Sequence, residues 1–188
     1  MEKNVDRRIR KTRLVLRRGL TKLMREKPVN EISVRELAEL CDINRGTFYL
    51  HYKDVYDMVE TLQQELYEEF HALLVRHTPT DESSTALMLI DLFRFIEENK
   101  DLASAILGKY GNSAFIQKMT DEVKRMCAPV WDRLERQDRL QFERYYSFMV
   151  NGAIGVVREW VQADCPERPE DIGMTIKNII YDGLRHLG

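Results

Sequence analysis

The sequence predicts an all-α fold of about nine helices, and three features predict it. Apolar residues recur at helical spacing along almost the whole 188-residue chain, with no stretch of sustained period-two alternation. Helix-start signals occur twice in close succession between Ile32 and Phe48. A hydrophobic content of 44% beside 32% charged residues is that of a chain that folds around a core in water.

The first helix runs from about Asp6 to Arg25. Ile9, Thr12, Leu16, Leu20 and Leu23 share one side of it, and at roughly 100° per residue Arg7, Lys11, Arg18, Lys22 and Arg25 gather on the other. Lys27-Pro28 ends it, because the residue before a proline is disfavoured in the α region. Ser33 then caps a second helix. Glu36 stands at N3 to complete a capping box, with Ile32 and Leu37 at the staple positions and Val34, Leu37, Ala38 and Cys41 facing inward. After a turn of about three residues the grammar repeats, with Ile43 at N′, Asn44 as cap and Phe48 at N4.

Two short helices in a tight turn, packed on a longer one, make a helix-turn-helix. On the second of them Phe48 turns inward with Tyr52 beside it, which leaves Arg45, Gly46, Tyr49 and Leu50 on the remaining arc. Laid in a major groove, such a helix aims its N-terminal residues at base edges, lets the backbone approach at the glycine and brings hydroxyls and cations to phosphates. A structural hairpin with a polar outer face fits the same pattern.

Asp54 caps a long helix reaching about Arg76, with Val55, Val59, Leu62, Leu66, Phe70 and Leu73 on one side. The segment from His77 to Ser84 reads as a loop. Further helices are expected at about 85–98, 101–109, 113–136, 139–163 and 169–187. The last two carry broad apolar faces. One includes Met149, Gly152, Ala153, Val156 and Trp160, the other Ile172, Ile176, Ile179, Ile180 and Gly183. Small residues there allow close approach of another helix, either from a second subunit or from the same core. Met88, Phe93, Phe115, Met126 and Trp131 on the middle helices form a pliable apolar set that suits a small-molecule pocket or plain core.

Charge is unevenly spread. Residues 1–54 hold 14 Lys and Arg against 8 Asp and Glu, net +6, whereas residues 55–188 hold 15 against 23, net −8. A basic head on an acidic body fits a head that meets a polyanion, or a solvated basic face. Cys41, Cys127 and Cys165 are too far apart for a zinc or disulfide framework, and His71 and His77, six residues apart, fall on different helix faces. No apolar run approaches the roughly 18 residues of a membrane span, and no nucleophile or phosphate-loop signature is present. The expectation is a cytoplasmic protein with no catalytic residue, no metal and no cofactor.

Ser33-Val34-Arg35-Glu36-Leu37-Ala38 followed by Ile43-Asn44-Arg45-Gly46-Thr47-Phe48-Tyr49-Leu50-His51-Tyr52-Lys53 resembles the N-terminal DNA-binding domain of the TetR/AcrR family of bacterial transcriptional regulators. The resemblance spans about residues 8–60. It implies a DNA-binding domain over residues 1–54 and a ligand-binding and dimerisation domain over residues 55–188. It implies a homodimeric regulator, usually a repressor, that leaves a palindromic operator in double-stranded DNA when a small molecule binds the body. The other reading of the same helix is a protein-interaction module in which DNA binding is secondary.

Carried over residue by residue, the resemblance places Arg35, Arg45, Gly46, Thr47, Tyr49, Leu50 and His51 at the groove or its walls, with Ser33, Tyr49 and Lys53 as phosphate contacts. The basic end with Lys3, Arg7, Arg8 and Lys11 would reach flanking DNA. Where many members have a turn glycine this chain has Asp42, which tolerates left-handed backbone, and where many have lysine early in the fourth helix it has Val55.

Overall fold

A computed structural model describes residues 2–77, 81–131 and 139–184, with side-chain packing described for 7–77, 81–126 and 143–182. Within them the chain forms nine α-helices and no strand. These are α1 (Glu2–Glu26), α2 (Val34–Leu40), α3 (Arg45–Tyr49), α4 (Val55–Arg76), α5 (Glu82–Glu98), α6 (Lys100–Leu107), α7 (Ser113–Trp131), α8 (Arg139–Gln162) and α9 (Pro169–Leu184). A 3₁₀ turn at Val29–Glu31 follows the break at Pro28. The end expected for α7 beyond Trp131, and that of α9 beyond Leu184, fall outside the described residues.

The chain packs as two units, one of residues 1–66 with 101–113 and one of residues 67–100 with 114–188. The first three turns of α4, and α6, therefore group with the head, so compactness divides the chain later than residue 54. In the head, Leu16, Leu20, Leu23 and Met24 of α1 are buried together with Leu37, Ala38, Phe48, Tyr52, Val55 and Met58. Val55, at the position early in the fourth helix noted above, is thus core. Ile9 is exposed and does not join the stripe it was expected to lead.

Glycine decides how near α1 and α2 lie: a Cβ on Gly19 would stand 2.4 Å from Cys41 Sγ and 3.0 Å from Leu37 Cδ1. The Cys41 thiol donates to the Val15 carbonyl at 3.4 Å, and burial pushes its pKa up.

In the second unit Phe70, Leu73, Leu74 and Met88 form a buried cluster, flanked by Leu92, Phe95, Met119, Val123 and Met126. Gly173 lets α9 lie against α5, since a Cβ there would come within 3.1 Å of the Ile90 backbone. Of the segment expected to be a loop, His77 lies outside any helix, residues 78–80 lie outside the described residues, and Asp81 to Ser84 instead start α5. Asp81 accepts from the Ser84 N–H at 2.8 Å, and the Ser84 hydroxyl accepts from the Asp81 N–H at 3.0 Å. Its Ser-rich composition hides a capping box built on aspartate. The α8–α9 break is made by left-handed Asp164 and Cys165, whose N–H closes back on the Trp160 carbonyl at 2.8 Å.

A side chain at Gly19 must push Cys41 away. Gly19→Ala is expected to lose about 1–3 kcal/mol in urea denaturation, and the Gly19→Ala/Cys41→Ala double variant to lose less than the sum of the two single variants.

Candidate functional site

The recognition surface begins with two caps. Ser33 Oγ accepts from the Glu36 N–H at 3.1 Å, and Asn44 Oδ1 accepts from the Gly46 N–H at 2.8 Å. The expected capping box on α2 is only half made. The Glu36 carboxylate does not reach back to Ser33; it takes Lys27 Nζ at 2.6 and 2.7 Å, because the cation at the end of α1 is a stronger partner than a backbone N–H. Between the helices Asp42 sits at φ 51°, the left-handed turn for which aspartate stands in for glycine.

Helix α3 has five residues, and its two faces differ sharply. Phe48 is fully buried, while Tyr49 is 57% and Leu50 82% exposed. Arg45 and Gly46 are exposed beside them, and Thr47 and His51 are half-buried. Lys53 is exposed, with its backbone N–H anchored to Asp57 Oδ2 at 2.8 Å. Arg45 and Lys53 form no ion pair among the described residues. Ser33 is exposed, and with its oxygen occupied its hydroxyl hydrogen is left for an acceptor such as a phosphate. Arg35 points outward too, but its Nε donates to Glu39 Oε1 at 2.8 Å along the same helix. An exposed pair of this kind is worth little and is readily exchanged for another anion. Arg7, Arg8 and Lys11 are exposed on α1, and the side chain of Lys3 lies outside the described residues. Of the nine head residues named from sequence, seven are exposed, and Thr47 and His51 are half-buried.

One head residue escaped the sequence reading. Arg13 does not join the basic back of α1. Its Nε donates to the Tyr52 hydroxyl at 3.2 Å and its Nη2 pairs with Glu65. The signal was its register, four residues after Ile9 and three before Leu16 on the apolar stripe.

In the body, the expected pocket residues are packed. Met88 belongs to the buried cluster with Met126 half-buried beside it, Phe93 meets Trp160 edge-on at 5.3 Å, and Phe115 is buried; Trp131's side chain lies outside the described residues. A groove of about 480 Å³ instead runs over Tyr67, Ala114, Gln117, Lys118, Asp121, Glu122 and Arg125.

Glu122 is 5% exposed. It accepts from Tyr67 at 3.0 Å, Arg125 Nε at 3.2 Å and the His71 ring at 2.7 Å. Burial alone would raise its pKa, but bonds from Arg125, His71 and Tyr67 outweigh that and hold it low. Its register with Phe115, Met119 and Met126 was the sequence signal for a carboxylate turned inward.

Of the residues expected at a subunit interface, Gly152 and Ile179 are exposed and Met149, Ala153, Val156 and Ile180 half-buried. Ile176 is 4% exposed and Trp160 is buried, so both serve their own chain's core; the packing around Gly183 is outside the described residues. Phe148, 74% exposed, was not singled out, and a Cβ on Gly152 or Gly155 would meet nothing within 4 Å.

A short capped helix presented by two others across a tight turn is a helix-turn-helix, the class of module through which a protein reads a duplex. Residues 84–182 match the TetR-type family of the transcriptional regulator C-terminal region, more than half of the chain, and the chain belongs to the TetR family of transcriptional regulators. It is similar to two HTH-type transcriptional regulators of Bacillus subtilis (strain 168). YuxN is 30% identical over 135 residues, 70% of this chain and 43% of that protein; YxbF is 20% identical over 173 residues, 88% and 43% respectively.

The chain therefore spans less than half the length of these curated relatives. Among solved structures, the fatty acid degradation regulator FadR of Bacillus halodurans has a TM-score of 0.67 at 17% identity, covering 93% of this chain and 96% of that one. FadR of Bacillus subtilis, solved with stearoyl-CoA, has a TM-score of 0.61 at 16% identity, covering 89% and 96%. These two likenesses show the fold.

Asp42 bears a left-handed backbone that glycine adopts freely. Asp42→Gly relieves about 1–2 kcal/mol of strain against about 0.4–1 kcal/mol of added chain entropy. A net gain of roughly 0.5–1 kcal/mol is expected, read as a higher urea midpoint with an unchanged slope.

Proposed function

We propose that this chain is a sequence-specific DNA-binding transcriptional regulator that acts as a homodimer on a palindromic operator. The observation that carries the reading is α3. A helix too short to be a structural strut buries Phe48 and presents Arg45, Tyr49 and Leu50, the last 82% exposed, on a cationic head. In a major groove Arg45 would read a guanine edge, Leu50 would meet a thymine methyl, and Thr47, Tyr49, Ser33 and Lys53 would hold the phosphates. A helix used only for protein contact has no need of the flanking cations, which is why that alternative is set below this one.

Pairing through α8 and α9 would bring two heads to two half-sites, and the exposed Phe148, Gly152, Met174 and Ile179 support that surface. We propose repression relieved by a small molecule in the body. A solved structure of the same fold holds stearoyl-CoA, and an effector with an apolar portion would enter by displacing the pliable side chains now packed around Met88 and Met126. Release would follow from differential binding to two conformations, a coupling of about 1–3 kcal/mol. The reading places the protein in the cytoplasm and assigns it no catalysis.

Selection from random duplexes with the wild-type protein tests this reading; failure to enrich any sequence would overturn it. Lys53→Ala should weaken binding to all duplexes and lower the log–log salt slope by about 0.9. Arg45→Ala should relax preference at one base position, costing about 1–3 kcal/mol there. Ile179→Glu should turn dimers into monomers in sedimentation at unchanged helix content, and an unchanged mass would rule out this pairing face.

A further inference from the structure

Arg13 stands on the helix that carries most of the head's cations, yet its guanidinium is committed to the protein. Nε donates to the Tyr52 hydroxyl at 3.2 Å, Nη2 pairs with Glu65 of α4, and the guanidinium carbon lies 5.9 Å from the Tyr52 ring centre. Tyr52 in turn belongs to the hydrogen-bonded end of the recognition helix, since its N–H donates to the Phe48 carbonyl at 3.1 Å. Its buried ring lies 5.8 Å from that of Phe48. A five-residue helix is far below the length that holds its own shape in water, so its tilt is set by what grips its ends. Asn44 grips the first end. At the second end, Asp57 Oδ2 accepts from the Lys53 N–H at 2.8 Å, and Arg13 supplies the grip on the Tyr52 side chain.

We infer that Arg13 is a positioning residue that sets the angle of α3 by tying Tyr52 to Glu65, and that it adds no phosphate contact of its own. The Arg13–Glu65 pair is 38% and 46% exposed, so by itself it adds little to folding stability. Its geometry is what lysine cannot copy. A planar fork donates to two acceptors at once, whereas a single ammonium on a flexible stem does not hold both at fixed angles.

The inference rests on the DNA-binding reading, and four variants separate the two: Arg13→Lys, Arg13→Gln, Glu65→Gln and Tyr52→Phe. Each is first checked for a cooperative urea transition, and Tyr52→Phe keeps the ring in the core. Each is then titrated against the duplex selected by the wild-type protein and against an unrelated duplex, across a salt series.

The expected result is a loss on the order of tenfold on the selected duplex, the size of one misaligned base contact. Affinity for the unrelated duplex and the salt slope of Arg13→Lys should stay unchanged. Glu65→Gln is the sharpest arm. Removing a carboxylate near a polyanion should by charge alone strengthen binding to every duplex, yet on this inference it weakens the selected one.

The inference is overturned if Arg13→Lys behaves as wild type while Arg13→Gln weakens both duplexes alike and lowers the salt slope by about 0.9, the behaviour of an ordinary phosphate contact. It is equally overturned if Glu65→Gln and Tyr52→Phe leave discrimination intact. A wild-type protein that binds no duplex at low salt brings down the parent reading, and this inference with it.

Discussion

The burial of Phe48 is the contact on which the head depends. Forming one helical turn costs more chain entropy than its few hydrogen bonds return, so a five-residue helix exists only where tertiary packing holds it. Phe48 is fully buried, as are Leu16, Leu20 and Leu37, and α1 and α2 lie this near because they meet at a glycine. Once that ring is fixed, the opposite arc has nowhere to point but outward. Exposure of Leu50 is therefore the complement of burying Phe48, two residues away on a helix with about 3.6 residues per turn.

Electrostatics then assigns separate tasks to the cations of the head. Lys27 is spent on Glu36 and Arg25 on Asp101, where α1 meets α2 and α6 respectively, and Arg13 on Tyr52 and Glu65. Those that remain outward, on the far side of α1 and around α3, are the ones that meet a polyanion in the proposed complex. Net charge alone, +6 over residues 1–54, does not make this division. It follows from which cations find carboxylates on another element of the fold, which Arg35, paired with Glu39 along its own helix, does not.

Much of this was legible in the sequence. The caps at Ser33 and Asn44, the left-handed turn at Asp42 and the inward Phe48 are local features, each set by residues within about four positions of it, and local grammar reads them well. What it left open is equally instructive. For Ile176 and Trp160 the sequence left a second subunit and the chain's own core open, because periodicity tells which side of a helix is apolar, not whose core it enters; both are buried within their own chain.

Arg13 and Glu122 sit in register with apolar stripes. Each was passed over because a charged residue is read by its type, while its partners, Tyr52 and Glu65 for one and Tyr67 and His71 for the other, lie 39 to 55 residues away. Asp81 was lost to its own surroundings, a Ser-rich run that composition labels as loop.

The meeting of Cys41 with Gly19 has a consequence for chemistry outside gene control. Only a thiolate attacks alkylating agents and oxidants at appreciable rate, and this sulfur is half-buried, bonded to a carbonyl and pushed toward its protonated form. Reaction there is slowed by that environment, and parting of α1 and α2 would speed it. The modification rate of Cys41 then responds to loosening of the head, from a probe the protein already contains.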